Sequence, residues 1–151
     1  MDRNAILSGY VTSFSSYSST DARATAEKVL KYSGDSFDIR KRGDIKTEAV
    51  MFKLMSGSTD YQVDAEKPTE LNQSFQAKVY VDQPDSHSGK DAAYDRMLEI
   101  TDQLIDWADT TVATTITSDV YTITITGVDT IDEEDGYLST NVNFQSIIKI
   151  S

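Results

Sequence analysis

Three groupings in this sequence have residue types that could do chemistry. The densest is the acidic run in which Asp129, Asp132, Glu133, Glu134 and Asp135 precede Gly136. Hard cations are held by several oxygens converging on a sharp turn. With Gly136 as the glycine of an EF-hand-type loop, the first ligand would be Ile131 and the last Val142, and neither side chain carries an oxygen. A solvated turn, or a face complementary to a basic partner, fits the run better than a weak divalent-ion contact. The second grouping is Asp85, Ser86, His87 and Ser88, around the only histidine. A nucleophilic triad is a convergence in space, whereas residues adjacent in sequence point in different directions. These residues read as loop chemistry. One histidine and no cysteine would need unusual carboxylate ligation to hold zinc. The third grouping is Arg40, Lys41 and Arg42, closed by Gly43. Three charges are too few for a nucleic-acid footprint. They read as a solvated turn, or as a complement to an acidic patch on a neighbouring subunit. No grouping makes a catalytic motif, a phosphate loop or a metal centre, and the expectation is a protein without enzymatic activity or cofactor.

The elements that must position these residues are those of one modest domain. A chain of 151 residues suits a single core. Apolar residues make up 38 %, with no uninterrupted run near the ~20 residues of a membrane-spanning helix. The start, MDRNAILSGYVTS, does not read as a signal peptide. The absence of cysteine excludes disulfides and thiolate metal sites and fits a protein made and kept in a cytoplasm. The formal net charge is −11. An acidic surface repels nucleic acid at long range and favours solubility. It also suits an assembly part that must not adhere to DNA passing close by.

Ser88 to Ala108 is the stretch around which the rest is expected to fold. Ser88 reads as the cap and Asp91 as its capping-box partner. Ala93, Met97, Ile100, Leu104 and Ala108 recur at helical spacing, Tyr94, Leu98 and Ile105 widen the stripe, and Trp107 sits at its edge as a core or rim anchor. Upstream, Asn4 to Tyr17 has helical spacing but many serines, so it reads as an extra helix or as an arm ordering against a partner. Thr20 to Tyr32 reads as a helix ended at Gly34. Phe37–Ile39 reads as a short strand. Glu48–Met55 is a strand ended by Gly57, with Val50, Phe52 and Leu54 on one face. Ser56–Asn72 is a long acidic connection or an extended hairpin, carrying Asp60, Tyr61, Val63 and Asp64. Gln73–Asp82 alternates cleanly, with Phe75, Ala77, Val79 and Val81 inward. Asp109–Ser118 reads as irregular. Asp119–Gly127 is a strand with Tyr121, Ile123 and Ile125 inward. Val128–Leu138 turns the chain, and Ser139–Ile150 is the final strand, with Val142, Phe144, Ile148 and Ile150 inward. The expected fold is α+β: a mostly antiparallel sheet of about four strands against the long helix and the Thr20–Tyr32 helix.

From Ala49 onward the order of pieces resembles the tail terminators of lambda-like long-tailed phages and related tail-completion proteins. AVMFKLMSG is similar to that family's first core strand, SFQAKVYVD to the next, and KDAAYDRMLEITDQLID to its acidic helix. Gly127-Val128-Asp129, the acidic run to Gly136 and the alternating strand Leu138–Ile150 resemble its C-terminal pattern, and Thr20–Tyr32 its N-terminal helix. The resemblance spans about residues 20 to 150. Residues before Ser19 look like an extension, and IRKRGDIKTEA only loosely echoes the family's lead-in. The resemblance implies a structural virion protein that assembles in the host cytoplasm. It would form a homo-oligomeric ring, commonly a hexamer, on the head-proximal end of the tail tube. Its partners would be the tube protein, the head-side connector and DNA passing unbound through the lumen, with no membrane. In such a ring Arg40, Lys41 and Arg42 would face Asp132, Glu133, Glu134 and Asp135 of a neighbour, and Asp60, Tyr61 and Asp64 would reach a neighbour or the tube. Two other readings stand beside this one: another neck ring or tail-tube subunit, and a small apolar-ligand module lined by Met51, Met55 and Tyr80.

Overall fold

The structure is a computed structural model that describes residues 1–32, 47–60, 68–84, 86–134 and 136–150, with backbone alone at residue 60. The Phe37–Ile39 strand lies outside the described residues. In order the elements are helix α1 (Arg3–Thr20), strand β1 (Val29–Lys31), β2 (Glu48–Asp60), β3 (Glu70–Asp82), helix α2 (His87–Thr110), a 3-10 turn (Ala113–Thr115), β4 (Val120–Val128), β5 (Asp132–Glu134) and β6 (Tyr137–Lys149).

The fold is α+β, as the alternating and helical periods imply. The sheet is larger than expected and mixed. Among the described residues its strands run β1-β2-β3-β6-β4, with β5 also paired to β6, so there are six rather than about four. β1 runs parallel to β2, and the other pairs are antiparallel. β4 and β5 follow one another along the edge of β6 that faces away from β3. β4 takes Val142–Ile148 and β5 takes Tyr137–Ser139.

Both helices contribute to one core on one face of this sheet. α1 lies towards β1 and β2, and α2 crosses β3, β6 and β4. Ile6, Tyr10 and Phe14 of α1 and Met97, Ile100, Leu104 and Trp107 of α2 are fully buried against Val50, Phe52, Phe75, Val79, Val142, Phe144 and Ile148. Trp107 is central to this core. It meets Tyr10, Phe14, Phe52, Phe75 and Phe144 at 5.5–6.5 Å between centroids. Tyr10 stacks on Phe75 at 4.0 Å. Edge-on and offset aromatic pairs of this kind add to what area burial alone supplies. The polar atoms of these two aromatics are paired: the Trp107 indole N–H donates to Ser13 Oγ at 3.0 Å, and the Tyr10 hydroxyl donates to Ser146 Oγ at 2.8 Å. Burial pushes the Tyr10 phenol up to about 12, against a smaller lowering by the Ser146 hydroxyl.

The serine-rich start is therefore a core helix. Asp2 caps it, accepting the Ala5 N–H. Its serines and threonines are absorbed by bonds back to its own carbonyls, as at Thr12, Ser18 and Ser19. Weak intrinsic propensity is overridden because the helix buries one side in tertiary contact.

The Thr20–Tyr32 helix is not present. Residues 21–28 are irregular and lead into β1. Asp21 ends α1 in extended backbone, and its carboxylate accepts from the Arg23 N–H at 2.8 Å, the competition that draws Asp out of helices. α2 then takes the backbone that a helix would have used. Glu99 accepts the Ala24 N–H, while Arg96 and Gln103 donate to the Ala24 carbonyl.

Three further expectations change. Ser86, rather than Ser88, caps α2 by accepting the Gly89 N–H at 3.1 Å. β2 does not stop at Gly57. A bulge between Leu54 and Gly57 lets it continue to Asp60, opposite Glu70, so the described part of Ser56–Asn72 is largely the two arms of a hairpin. The buried Gln73 steadies that bulge: its amide donates to the Met55 carbonyl at 2.9 Å and its oxygen accepts from Arg3. Finally, a bulge at Tyr121 shifts β4 by one residue. Val120 takes the buried place opposite Ile148, and Tyr121 turns out to solvent.

Candidate assembly interface

The acidic run builds a hairpin. β5 lies in register with β6, Asp132 opposite Ser139, Glu133 opposite Leu138 and Glu134 opposite Tyr137. Gly136 closes it with φ at 83°, a conformation open to glycine at no steric cost. Its carbonyl accepts the Gln83 N–H at 2.9 Å, which ties the turn to the end of β3. The Tyr137 hydroxyl donates to Glu134. Asp132, Glu133 and Glu134 are all exposed. Asp129 is held differently: Asn141 and Asn143 donate to its two carboxylate oxygens, and Thr140 donates to its carbonyl. Strand geometry sends successive carboxylates to opposite sides. Among the described residues no three of His, Asp or Glu gather as metal ligands would.

His87 opens α2 with its side chain 93 % exposed, 3.4 Å from Asp91 one turn on. Ser86 is spent on the helix cap. Of the remaining predicted site residues, Arg40, Lys41, Arg42, Tyr61, Asp64 and Asp135 lie outside the described residues, as does the side chain of Asp60. Tyr80 is buried beside Tyr137 and Ala49 on the sheet face away from the helices, Met51 is buried, and Met55 is 41 % exposed.

The outer side of α2 exposes apolar side chains that sequence periodicity assigns to the core. Tyr94 and Leu98, read as a widening of the core stripe, are 50 % and 41 % exposed. They sit one turn apart among the exposed acids Asp91, Asp95 and Asp102. The same helix carries two ion-pair centres that hold the N-terminal third in place. Arg96 makes a two-pronged contact with Glu48, 2.6 Å on each arm, and reaches Glu99 at 2.7 Å. The hydrogen bonds that Arg96 donates to Glu48, followed by the charges of Glu48 and Glu99, raise its guanidinium against the lowering by burial. Arg23 spans Asp21 and Asp106, 2.7 Å to each. The Arg23 side chain, then its backbone N–H, hold the Asp21 carboxyl well below the usual carboxylate range. Asp21–Arg23 and Arg96–Glu99 are local pairs, but the arms that join segments, Glu48–Arg96 and Arg23–Asp106, have no local spacing that would reveal them.

α1 and the 3-10 turn frame a half-open groove of about 430 Å³ lined by Gly9, Thr12, Ser13, Ser16, Thr115 and Ile116. Gly9 is where the two elements touch: a Cβ there would stand 2.7 Å from Ile116 Cγ2. Among the described residues no helix is long and apolar enough to cross a membrane. No protein-family model matches this chain, and no curated protein matches it in sequence.

Proposed function

We propose that this protein is a structural ring component of a long-tailed phage, sitting on the head-proximal end of the tail tube, ending its polymerisation and joining it to the head connector. The observation that carries this reading is the order of elements from Ala49 onward. Strand, strand, acidic helix, strand, acid-rich turn with glycine and terminal strand are the pieces on which the resemblance rests in that part of the chain, and β2, β3, α2, β4, β5 and β6 stand in that order; the Thr20–Tyr32 helix, which the resemblance also used, is not among the elements. The warrant is likeness of architecture, and function attaches to fold only through surfaces. Two surfaces suit the role: the exposed Tyr94–Leu98 pair on α2 and the exposed acids of β5.

Copies of the chain would close a ring through one repeated contact. Tube and connector would then meet its two ends, and acids lining the lumen would let DNA slide without adhering. The test is negative-stain microscopy of the purified chain, alone and mixed with tail tubes, over a range of concentrations. Closed rings that cap tubes without lengthening them are the expected result. Long polymers of the chain itself would make it a tube subunit, and a chain that stays monomeric and ignores its tubes would end the reading.

A further inference from the structure

We propose that the β4–β5 edge of the sheet docks onto the β1–β2 end of a second copy of this chain, so that copies join head to tail. This deepens the ring reading and rests on it, because it names the contact between neighbours.

The first argument is the distribution of charge along the sheet. From Met97 to Ile148 the sequence has ten Asp and Glu and no Lys or Arg, whereas residues 1–53 have nine Lys and Arg against seven Asp and Glu. Part of that difference has a place in the fold: Lys28 and Lys31 stand at the β1 end and Asp132, Glu133 and Glu134 on β5, whereas Glu99 and Asp106 of α2 reach back to Ala24 and Arg23. β1 and β2 stand at one end of the sheet, and β4 and β5 line the other. At the acidic end Asp132 and Glu133 are exposed. At the opposite end, among the described residues, Lys28 and Lys31 meet no carboxylate. Lys31 donates to Asn4 and Ser8 of α1. The described acids near β1 are engaged, Glu27 by Thr47, Glu48 by Arg96 and Asp21 by Arg23, so Lys28 and Lys31 are opposite in sign to the exposed acids of β5, which steers a copy towards the opposite end of another.

The second argument is the condition of the edge itself. β4 has β6 on one side and, among the described residues, no strand on the other. Edges of this kind are normally blunted with lysine, proline or bulges, because their free N–H and C=O groups invite another chain. β4 has no lysine or proline, and its two bulges flank rather than interrupt its centre. Between its bulges Thr122–Ile125 keeps regular register, and Tyr121 and Val128 at its two ends are 45 % and 46 % exposed. A contact between two different surfaces repeats in one sense around a ring, and it closes if the rotation allows.

The test uses the full chain in sedimentation velocity. Two charge reversals are made: D132K/E133K at the acidic end and K28E/K31E at the other, each checked for native circular dichroism. Each alone should weaken association by about tenfold or more. Raising NaCl from about 0.05 to about 0.5 M should weaken the unaltered chain in the same direction. Mixing the two reversed chains should restore assembly, because every contact in an alternating array then joins opposite signs. That recovery cannot come from misfolded chains. If the unaltered chain forms rings that neither reversal disturbs, this contact is wrong and the ring reading stands. If each reversal abolishes assembly but the mixture stays dissociated, complementarity between these ends is refuted. An unaltered chain that stays monomeric overturns both this contact and the ring.

Discussion

Ser86 and Ser88 are two residues apart and chemically alike, and the structure gives them different work. Ser86 caps α2, whereas Ser88 is an exposed residue of its first turn. Loss of a capping serine costs about 1 kcal/mol. S86A should therefore lower stability by that amount in urea denaturation, and S88A should change it by less than about 0.5 kcal/mol. Asp21 supplies a second test. Its carboxyl, held down chiefly by Arg23, titrates lower when folded than when unfolded. Such a group adds stability that is full above the unfolded value, near 3.9, and is lost as pH falls towards the folded one. D21N should flatten the fall in stability below about pH 4, read as urea midpoints across an acid series, while leaving the slope near pH 7 unchanged. Arg23 stands two residues from Asp21, but its second partner, Asp106, was hidden in the sequence because it lies 83 residues further on. The capping serine was within reach: Pro84 marks the break, and Ser86 stands before a run with helical period.

At the scale of elements, α1 decides whether the sheet is a fold or a surface. Burying Ile6, Tyr10 and Phe14 is worth on the order of 2 to 3 kcal/mol each, which rivals the whole stability of a small domain. A chain lacking residues 1–20 should lose its cooperative urea transition, and an arm that merely ordered on a partner would leave that transition intact. Strands were legible where pairing is unbroken. Phe75, Ala77, Val79 and Val81 alternate inward as their spacing implies, because β3 pairs with β6 without interruption. They were misread where a bulge inserts a residue, as at Tyr121, or where a buried side chain such as Gln73 carries a strand past a glycine. The irregular stretch 21–28 was read as a helix because its captors, Arg96, Glu99 and Gln103, belong to another element. For β5 the signal was present. Asp135-Gly136 between two extended segments is a two-residue hairpin signature.

Across the whole molecule, the long acidic half sets how salt acts on a single chain. Of the ten carboxylates between Met97 and Ile148, Glu99 and Asp106 pair with Arg96 and Arg23, and in a chain of net charge −11 the excess acid is self-repelling on folding. Screening relieves that repulsion. At concentrations too low for association, the thermal midpoint should rise as NaCl is raised from about 0.02 to about 0.2 M, as followed by circular dichroism. Salt is thus expected to stabilise the isolated chain while weakening contacts between chains. The residues proposed for assembly were the least legible part of the sequence. An exposed acid looks the same in sequence whether it faces water or a neighbour, and the strand order that puts β5 at the end opposite β1 becomes visible only once the sheet is formed.

The middle of the sheet also sets a schedule for synthesis. β6 is the last strand to be made and the one that β3, β4 and β5 all require. Tyr10, near the start, waits for Ser146, 136 residues further on. A nascent chain can form its helices and the β2–β3 hairpin, but it cannot close the sheet until residues 137–149 have left the ribosome. Folding then waits on pairing between distant segments, which slows it. A prematurely terminated chain never acquires the β4–β5 edge, so it is left out of an assembly built through that edge without any separate proofreading step.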